Sequence, residues 1–496
     1  MRHIKPLMVF TLLFLLSKAN AQTNEFNLQD YKLPDLNYKE LVTNFGFVGR
    51  NNSFTNPSGS TPGKSRDNLL SGNFNAGFYH YMNNATRQKE EYARFDFVSD
   101  FSNTKEDGDV ISKNSSLNTA LSYQLFNRFY NGRRFLETDL DINYEFDRSK
   151  VRQNVYVPPY SDYLSVEEKP FSHNFSISVP LKLGTGRIEQ VQDARQAVYI
   201  FDELAKIERI DKNRSKEEIL EFARFISELK KERFFDSRLK RMAEMEALDS
   251  FLVAHNYLLK SDAKYFATLL DFWEYGGQTV RNSGNRLSFA LYPGYSFYYY
   301  KNTVDGFFND EVKTRLNAYS ISGGVEYKHE RPINLYWQNT IDMGGYFGIM
   351  EIRQDSAGTN KKTESIPNMQ FGYFQTVSYY PNTRTNMHLT GALQFTQLYG
   401  KNDSDPDIIG FSGTGAKASL NYSVYYYVTP KLRLRINSSL YYIWQDSDDK
   451  IPMNFSNPGG SAFTLSDYNS YVNSTGGYMK NHFNGLVNIV LTYSIF

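Results

Sequence analysis

The chain has 496 residues, with 55 Lys and Arg against 54 Asp and Glu, a net charge of +1 and no cysteine. This balance offers no global attraction for nucleic acid, and the lack of thiols excludes a disulfide framework, a lipid-anchored N-terminal Cys and thiol chemistry. A mean hydropathy of −0.54 suits a soluble protein, yet 38 Tyr and 38 Phe suit a chain whose strands cross a membrane: only alternate strand residues then meet lipid, and aromatic rings settle at the interface.

At the N-terminus, Arg2, His3 and Lys5 precede an apolar run from Leu7 to Leu16, and Ala19-Asn20-Ala21 has the small-x-small form of a cleavage site. The pattern predicts a signal peptide over residues 1–21, with Ala19 and Ala21 marking the cut and Gln22 beginning the mature chain. The run is too short for a membrane helix, which needs about 20 apolar residues, and no later segment would span a bilayer as a helix. A periplasmic segment, 22–39, then leads into a first set of six strands, near 40–52, 73–82, 91–101, 115–129, 134–147 and 172–183, within a first barrel half over 40–184.

From Arg187 to about Tyr275 the period changes from two to between three and four, proline disappears, and Glu, Lys, Arg, Ala and Leu dominate. This predicts a helical insert over 185–277. Val191, Ala194, Val198, Phe201 and Ala205 form the apolar stripe of a first helix whose start carries Arg187, Glu189, Asp193 and Arg195, either a solvated face or a docking edge. Ser215-Lys216-Glu217-Glu218 has the form of a capping box before a second helix with Ile219, Phe222, Ile226 and Leu229 on one face. A third carries Leu239, Met242, Met245, Leu248 and Leu252, and a fourth runs from Ser261-Asp262 to Gly276-Gly277. Gly184-Thr185-Gly186-Arg187 superficially resembles a phosphate-cradling loop, but a glycine pair where a strand ends is more often a turn.

The second half, 278–496, predicts eight strands near 286–300, 316–330, 333–350, 367–380, 384–399, 414–428, 431–445 and 481–496. Asn131-Gly132, Arg331-Pro332, Pro381-Asn382 and Thr429-Pro430 mark tight turns. The segments 53–72, 102–114, 148–171, 301–315, 351–366, 400–413 and 446–480 read as long polar loops. The link from Met82 to Glu90 reads as longer than the other turns. Short turns belong in the periplasm and long loops outside. The fold class is therefore a transmembrane antiparallel β-barrel of about 14 strands with an inserted periplasmic helical bundle. Counts of 12 or 16 stay open, as does a plug inside the lumen as the rival location for the helices.

Transport chemistry would sit on the inward faces. On 134–147, Leu136, Leu140, Ile142, Tyr144 and Phe146 share one parity while Glu137, Asp139, Asp141 and Glu145 share the other. On the strand from Lys431, Leu432, Leu434 and Ile436 oppose Lys431, Arg433 and Arg435. Stripes of opposite sign can orient a polar solute in a constriction, or pair across the lumen and help close it. Asp403, Asp405, Asp407, Asp446 and Asp448 lack the turn glycine and terminal Glu of a calcium loop, so no metal and no cofactor are expected. Seven scattered histidines sit in no nucleophile motif, so no enzyme is expected, although a hydrolase assembled from separate strands stays open.

In the last strand, Phe483, Val487, Ile489, Leu491 and Tyr493 share the apolar parity. The signal peptide, amphipathic strands and aromatic C-terminus resemble bacterial, Gram-negative outer-membrane β-barrels, and the wealth of Tyr, Phe and Asn resembles Bacteroidetes-type sequences. The resemblance implies a lipid bilayer as partner and insertion by the barrel-assembly machinery, which reads the last strand through Tyr493 and Phe496. Phe496 departs from that pattern by lying on the lumen parity. TonB-dependent receptors fit poorly, because about 22 strands and a plug exceed this length. Two functions follow: a porin-like channel or transporter for a polar solute or polymer, with the insert gating it or docking a periplasmic partner through residues 187–275, or a closed barrel serving as an anchor for periplasmic machinery. No nucleic-acid partner is expected.

Overall fold

The computed structural model describes residues 26–493 except 57–62, 107–108, 157–162, 213, 231–236, 278–279, 307–309, 357–361, 400–411, 430–431 and 448–480. Sixteen strands form one antiparallel sheet. They are β1 (Leu36–Asn56), β2 (Gly63–Asn83), β3 (Arg87–Glu106), β4 (Asp109–Asn131), β5 (Arg134–Tyr156), β6 (Tyr163–Glu168), β7 (Phe171–Ser178), β8 (Leu181–Gln190), β9 (Asn282–Asp305), β10 (Asp310–Pro332), β11 (Trp337–Ser356), β12 (Lys362–Tyr379), β13 (Thr385–Tyr399), β14 (Ser412–Tyr427), β15 (Leu432–Ser447) and β16 (Asn481–Tyr493). Between β8 and β9 come four helices, α1 (Gln192–Lys206), α2 (Lys216–Leu229), α3 (Ser237–Ala254) and α4 (Ala263–Gly276). None of the helices is long and apolar enough to cross a membrane.

β6, β7 and β8 all lie between β5 and β9, as successive pieces of one line. The breaks fall at Pro170 and Pro180, which have no amide to give the ladder. Their carbonyls still accept from Ser149 and Asp139, at 2.9 and 2.8 Å, so the ladder resumes without a change of neighbour. Taking the three as one, the order from β1 to β16 has fourteen members. Among the described residues β1 pairs only with β2 and β16 only with β15. The sheet also curls: Arg187 on β8 donates to Asn83 Oδ1, Asn84 O and Ala85 O at the β2–β3 turn, at 2.8 to 3.0 Å.

Several expectations are corrected. The strands run far past their predicted ends, so that 63–72, 109–114 and 148–156, expected as loops, are paired strand. These extensions are mostly polar with only scattered apolar residues such as Leu70 and Val151, which blurs the alternation, while the backbone keeps its ladder bonds. The Met82–Glu90 link is a short turn, because β2 reaches Asn83 and β3 starts at Arg87. Arg187 and Glu189 belong to β8, not to a helix start, since the helix begins at Gln192. Gly184 and Gly186 lie inside β8, in the ladder with β9, and not at the turn expected from the glycine pair. A Cβ on Gly184 would meet the Phe135 ring at 2.4 Å, and Gly186 (φ +101°), opposite Arg286, and Gly284 (φ +127°), opposite Ile188, hold backbone angles that favour glycine within two pairs of each other.

The register separates two faces. On β9, Leu287, Phe289 and Leu291 are exposed outward while Ser288, Ala290 and Tyr292 are buried inward. On β1 to β3, Phe45, Phe74 and Phe95 stack outward, with centroids 4.8 and 6.0 Å apart. The inward face is not uniformly polar: toward the long-loop end Leu316, Ala318, Met350, Ile352, Ile366 and Leu398 form a buried apolar cluster.

The helices sit at the short-turn end of the sheet. Their core joins Val191, Ala194, Leu204, Phe222, Ile226 and Leu252 to Leu28 and Tyr31 of the N-terminal segment, and it reaches Tyr81 on β2 and Leu335 in the β10–β11 turn. Ser215 caps α2 in a reciprocal box with Glu218, and Asp262 caps α4. Of the stripe expected on the third helix, Leu248 and Leu252 are buried, whereas Leu239 and Met242 are exposed.

Candidate functional site

The inward face gathers its charges on β4, β5, β8 and β10. Glu137 is fully buried and is held by Arg128, whose Nε and Nη2 both donate to it, the latter at 3.1 Å. Lys182 lies 3.4 Å from Glu137, 3.3 Å from Asp139 and 3.5 Å from Glu326. It also sits over the Tyr292 ring, 5.4 Å from its centroid. Glu326 in turn accepts from Tyr292 and, at 3.0 Å, from Tyr346. Three carboxylates thus share one ammonium and one guanidinium; Glu137 and Glu326 accept hydrogen bonds, whereas Asp139 has only the ion contact to Lys182. A cavity of about 160 Å³ opens beside it, lined by Arg286, Lys328 and Asp342 among others.

Of the charged stripes expected from the sequence, Glu137, Asp139, Asp141 and Glu145 share the inward parity of β5, paired with Arg128, Phe126, Gln124 and Ala120. Arg433 and Arg435 share the inward parity of β15 and lie over Tyr425, at 5.8 and 5.1 Å. Among the described residues no ion pair or hydrogen bond joins the two stripes. The partners of the acidic one are Arg128 and Lys182 on the strands beside it. Lys431, Phe496 and the cleavage residues Ala19, Ala21 and Gln22 lie outside the described residues, as do Asp403, Asp405 and Asp407. Tyr493 ends β16, paired with Leu432. Sequence reasoning missed Arg128, Lys182, Glu326, Tyr292 and Tyr346. The alternation Leu181-Lys182-Leu183 carried a signal for one of them, a lone cation between two outward leucines.

A second set of contacts ties the bundle to the rim. Arg281, just before β9, is fully buried and donates to Gln338 Oε1 and to the carbonyls of Asn334, Leu335 and Trp337, at 2.6 to 3.0 Å. Burial and the neighbouring Arg195 guanidinium push its pKa down to about 9. The Tyr380 ring lies 4.9 Å from both guanidiniums, and Arg195 reaches the Asn382 carbonyl at 3.3 Å. Arg384 in the same turn binds Asp271 on α4 at 2.5 Å and covers Tyr275 at 4.2 Å.

Among the described residues no group of three His, Cys, Asp or Glu could hold a metal ion. Ser378 Oγ lies 2.8 Å from His388 Nδ1, and His388 Nε2 lies 3.1 Å from Asn386 Oδ1. That trio has the form of an activated nucleophile, but Ser378 is 4% exposed and Asn386 6%, so it reads as a satisfied polar contact.

No family model matches the chain, and no curated protein matches it. Among solved structures it is similar to the transport unit of the autotransporter AIDA-I from Escherichia coli, at 8% identity over 84% of this chain and 97% of that one, with a TM-score of 0.26. It is also similar to the CymD monoaromatic hydrocarbon channel, at 9% identity over 84% and 85%, TM-score 0.27. A Pseudomonas aeruginosa FadL homologue matches at 10% identity over 85% of each chain, TM-score 0.28. At these scores the likeness carries no argument about fold or function.

Proposed function

We propose that this chain closes into an outer-membrane β-barrel that conducts a polar solute or polymer, with its helical insert lying in the periplasm across the mouth. The exposed leucines and phenylalanines of the outward face support the membrane, since an apolar wall of this extent has no stable place in water. The short turns and the helices share one end of the sheet, and short turns belong to the periplasmic side.

The observation that favours a conduit over a closed anchor is the wetness of the inward face on β3 to β5. The Arg94 side chain is 66% exposed on that face, and Asn143 and Glu145 are exposed beside it. A lumen packed shut would bury these groups.

The insert is then a regulated cover. Arg384 and Asp271 form the rim contact that lies nearest the surface, and breaking it with Arg384→Ala loosens α4 from the β12–β13 turn. Planar-bilayer recordings should show ionic conductance for the full chain and a higher open fraction for Arg384→Ala. If neither protein conducts, and reconstituted vesicles take up no solute, the barrel is an anchor and the insert a docking platform.

A further inference from the structure

On the outward face of β2 to β5 the apolar runs give out within a few registered rows of one another. On β5 the outward residues from Leu136 to Phe146 are apolar but for Thr138, and Arg148, Lys150 and Arg152 follow. On β4, Leu121 and Leu117 give way to Ser115 and Lys113. On β3 and β2, Phe101 and Leu70 give way to Asn103 and Asn68. The register sets Asn68, Asn103, Lys113, Arg152 and Glu167 in one row across five strands, with Leu70, Phe101, Ser115 and Lys150 in the row beneath. A cavity of about 640 Å³ opens over these two rows.

The groove carries an excess of positive charge. Its one carboxylate, Glu167, is shared by Lys150 at 2.9 Å and Lys169 at 2.8 Å. Among the described residues Arg152 donates through its Nε alone, to Ser165 Oγ at 2.9 Å. Lys113 has no hydrogen-bond or ion-pair partner among the described residues. Directly beneath, Leu70 is 57% and Phe101 56% exposed.

The depth of the groove fits a lipid headgroup. Toward the other end, the outward face turns polar at His80 and Glu91, which are joined at 3.1 Å and bound to Asn37, Lys89 and Tyr123. His80 to Asn68, and Glu91 to Asn103, each span about 12 residues; at roughly 3.3 Å per residue and a strand tilt near 40° this is about 30 Å, the thickness of a hydrocarbon core. The cationic row therefore lies at the level of lipid phosphates on the long-loop side.

We propose that this groove binds a phosphorylated glycolipid of the outer leaflet, its phosphate held by Lys113, Lys150 and Arg152 and its acyl chains lying along Leu70 and Phe101. Lysine and arginine together are the chemistry of a phosphate site, and the apolar floor that continues downward selects a lipid over a free anion. The inference rests on the outer-membrane reading.

The test reconstitutes the full chain in vesicles of zwitterionic phospholipid doped with a phosphorylated glycolipid or with its dephosphorylated form. Glycolipid retained on the protein after mild detergent extraction is then measured. The wild type should retain the phosphorylated form selectively, and the triple variant Lys113→Gln, Lys150→Gln, Arg152→Gln should retain at least roughly tenfold less. The exposed Lys113→Gln alone should lose a smaller part, which keeps the test valid if the triple variant misfolds. Inserted protein that holds both glycolipids equally overturns the site while leaving the barrel standing. Full competition by millimolar inorganic phosphate points to a soluble anion and also overturns it. Protein that never enters the vesicles overturns the barrel and the site together.

Discussion

Glu137 is the most deeply buried charge among the described residues of the inward face. Its carboxylate is fully buried, Arg128 grips it through two nitrogens, and Lys182 stands 3.4 Å away. Removing one partner of a buried pair leaves the other as an uncompensated charge, which costs roughly 3–5 kcal/mol, whereas removing both is close to neutral. Arg128→Met should therefore lower the stability of the folded chain in detergent by about 3 kcal/mol, at the low end because Lys182 remains. The double variant Arg128→Met, Glu137→Met should recover most of it. Urea unfolding followed by tryptophan fluorescence checks both, and additive losses in the double variant would show that the two residues act independently. Lys182 answers to three carboxylates, so Lys182→Met should reduce stability and also shift ion selectivity toward cations in bilayer recordings, the lumen having lost one positive charge.

Helix caps govern the insert. The Ser215 hydroxyl accepts from the Glu218 amide at 3.2 Å, and the Glu218 carboxylate accepts from the Ser215 amide at 2.7 Å. Ser215→Ala should cost about 1 kcal/mol, read as faster amide hydrogen exchange across 216–229 with the sheet unaffected. Asp262 gives the pH dependence of α4. The hydrogen bonds from Arg209 and the Tyr265 amide hold its carboxyl at about 2, below the ordinary 3.8. A depressed carboxylate stabilises the fold above its ordinary value and loses that contribution as pH falls toward 2. Protease resistance of the insert should therefore drop between pH 4 and about pH 2 in the wild type. In Asp262→Asn, which can still cap but carries no charge, it should be lower at pH 5 and flatter with pH. These caps were legible because Ser-x-x-Glu and Ser-Asp are local patterns. Strand lengths were not, since Asn51 to Asn56 and Lys64 to Asn68 show no alternation although each pairs through its backbone. Arg187 and Glu189 were read as helix because their charges match the helix that follows, and only the pairing of β8 with β9 as far as Gln190 reveals them as strand.

At the level of the whole sheet, parity was readable and adjacency was not. The alternation of Leu136 with Glu137 marks a face from a few residues, but Lys182 and Glu326 reach Glu137 only through a register spanning β5 to β10, and no local pattern encodes that. The same limit applies to the meeting of β1 and β16. Among the described residues both strands have their neighbour on one side only, and both expose apolar residues on the inward parity, Val42 and Val48 on β1 and Leu486 and Val490 on β16. Free edges of this length invite pairing. With fourteen members in the order, β1 and β16 run in opposite directions, so their union is an antiparallel ladder in which inward residues face inward residues. The chain has no cysteine, which makes the test clean. Val42→Cys should form an intramolecular disulfide with a cysteine at one of Asn484, Leu486, Asn488 or Val490, and with none at Val487 or Ile489, whose side chains point the other way. Oxidation followed by electrophoresis without reductant reads the result. Cross-links that appear only between two copies would mean that the free edges pair between molecules, and that the cylinder is completed by a second chain.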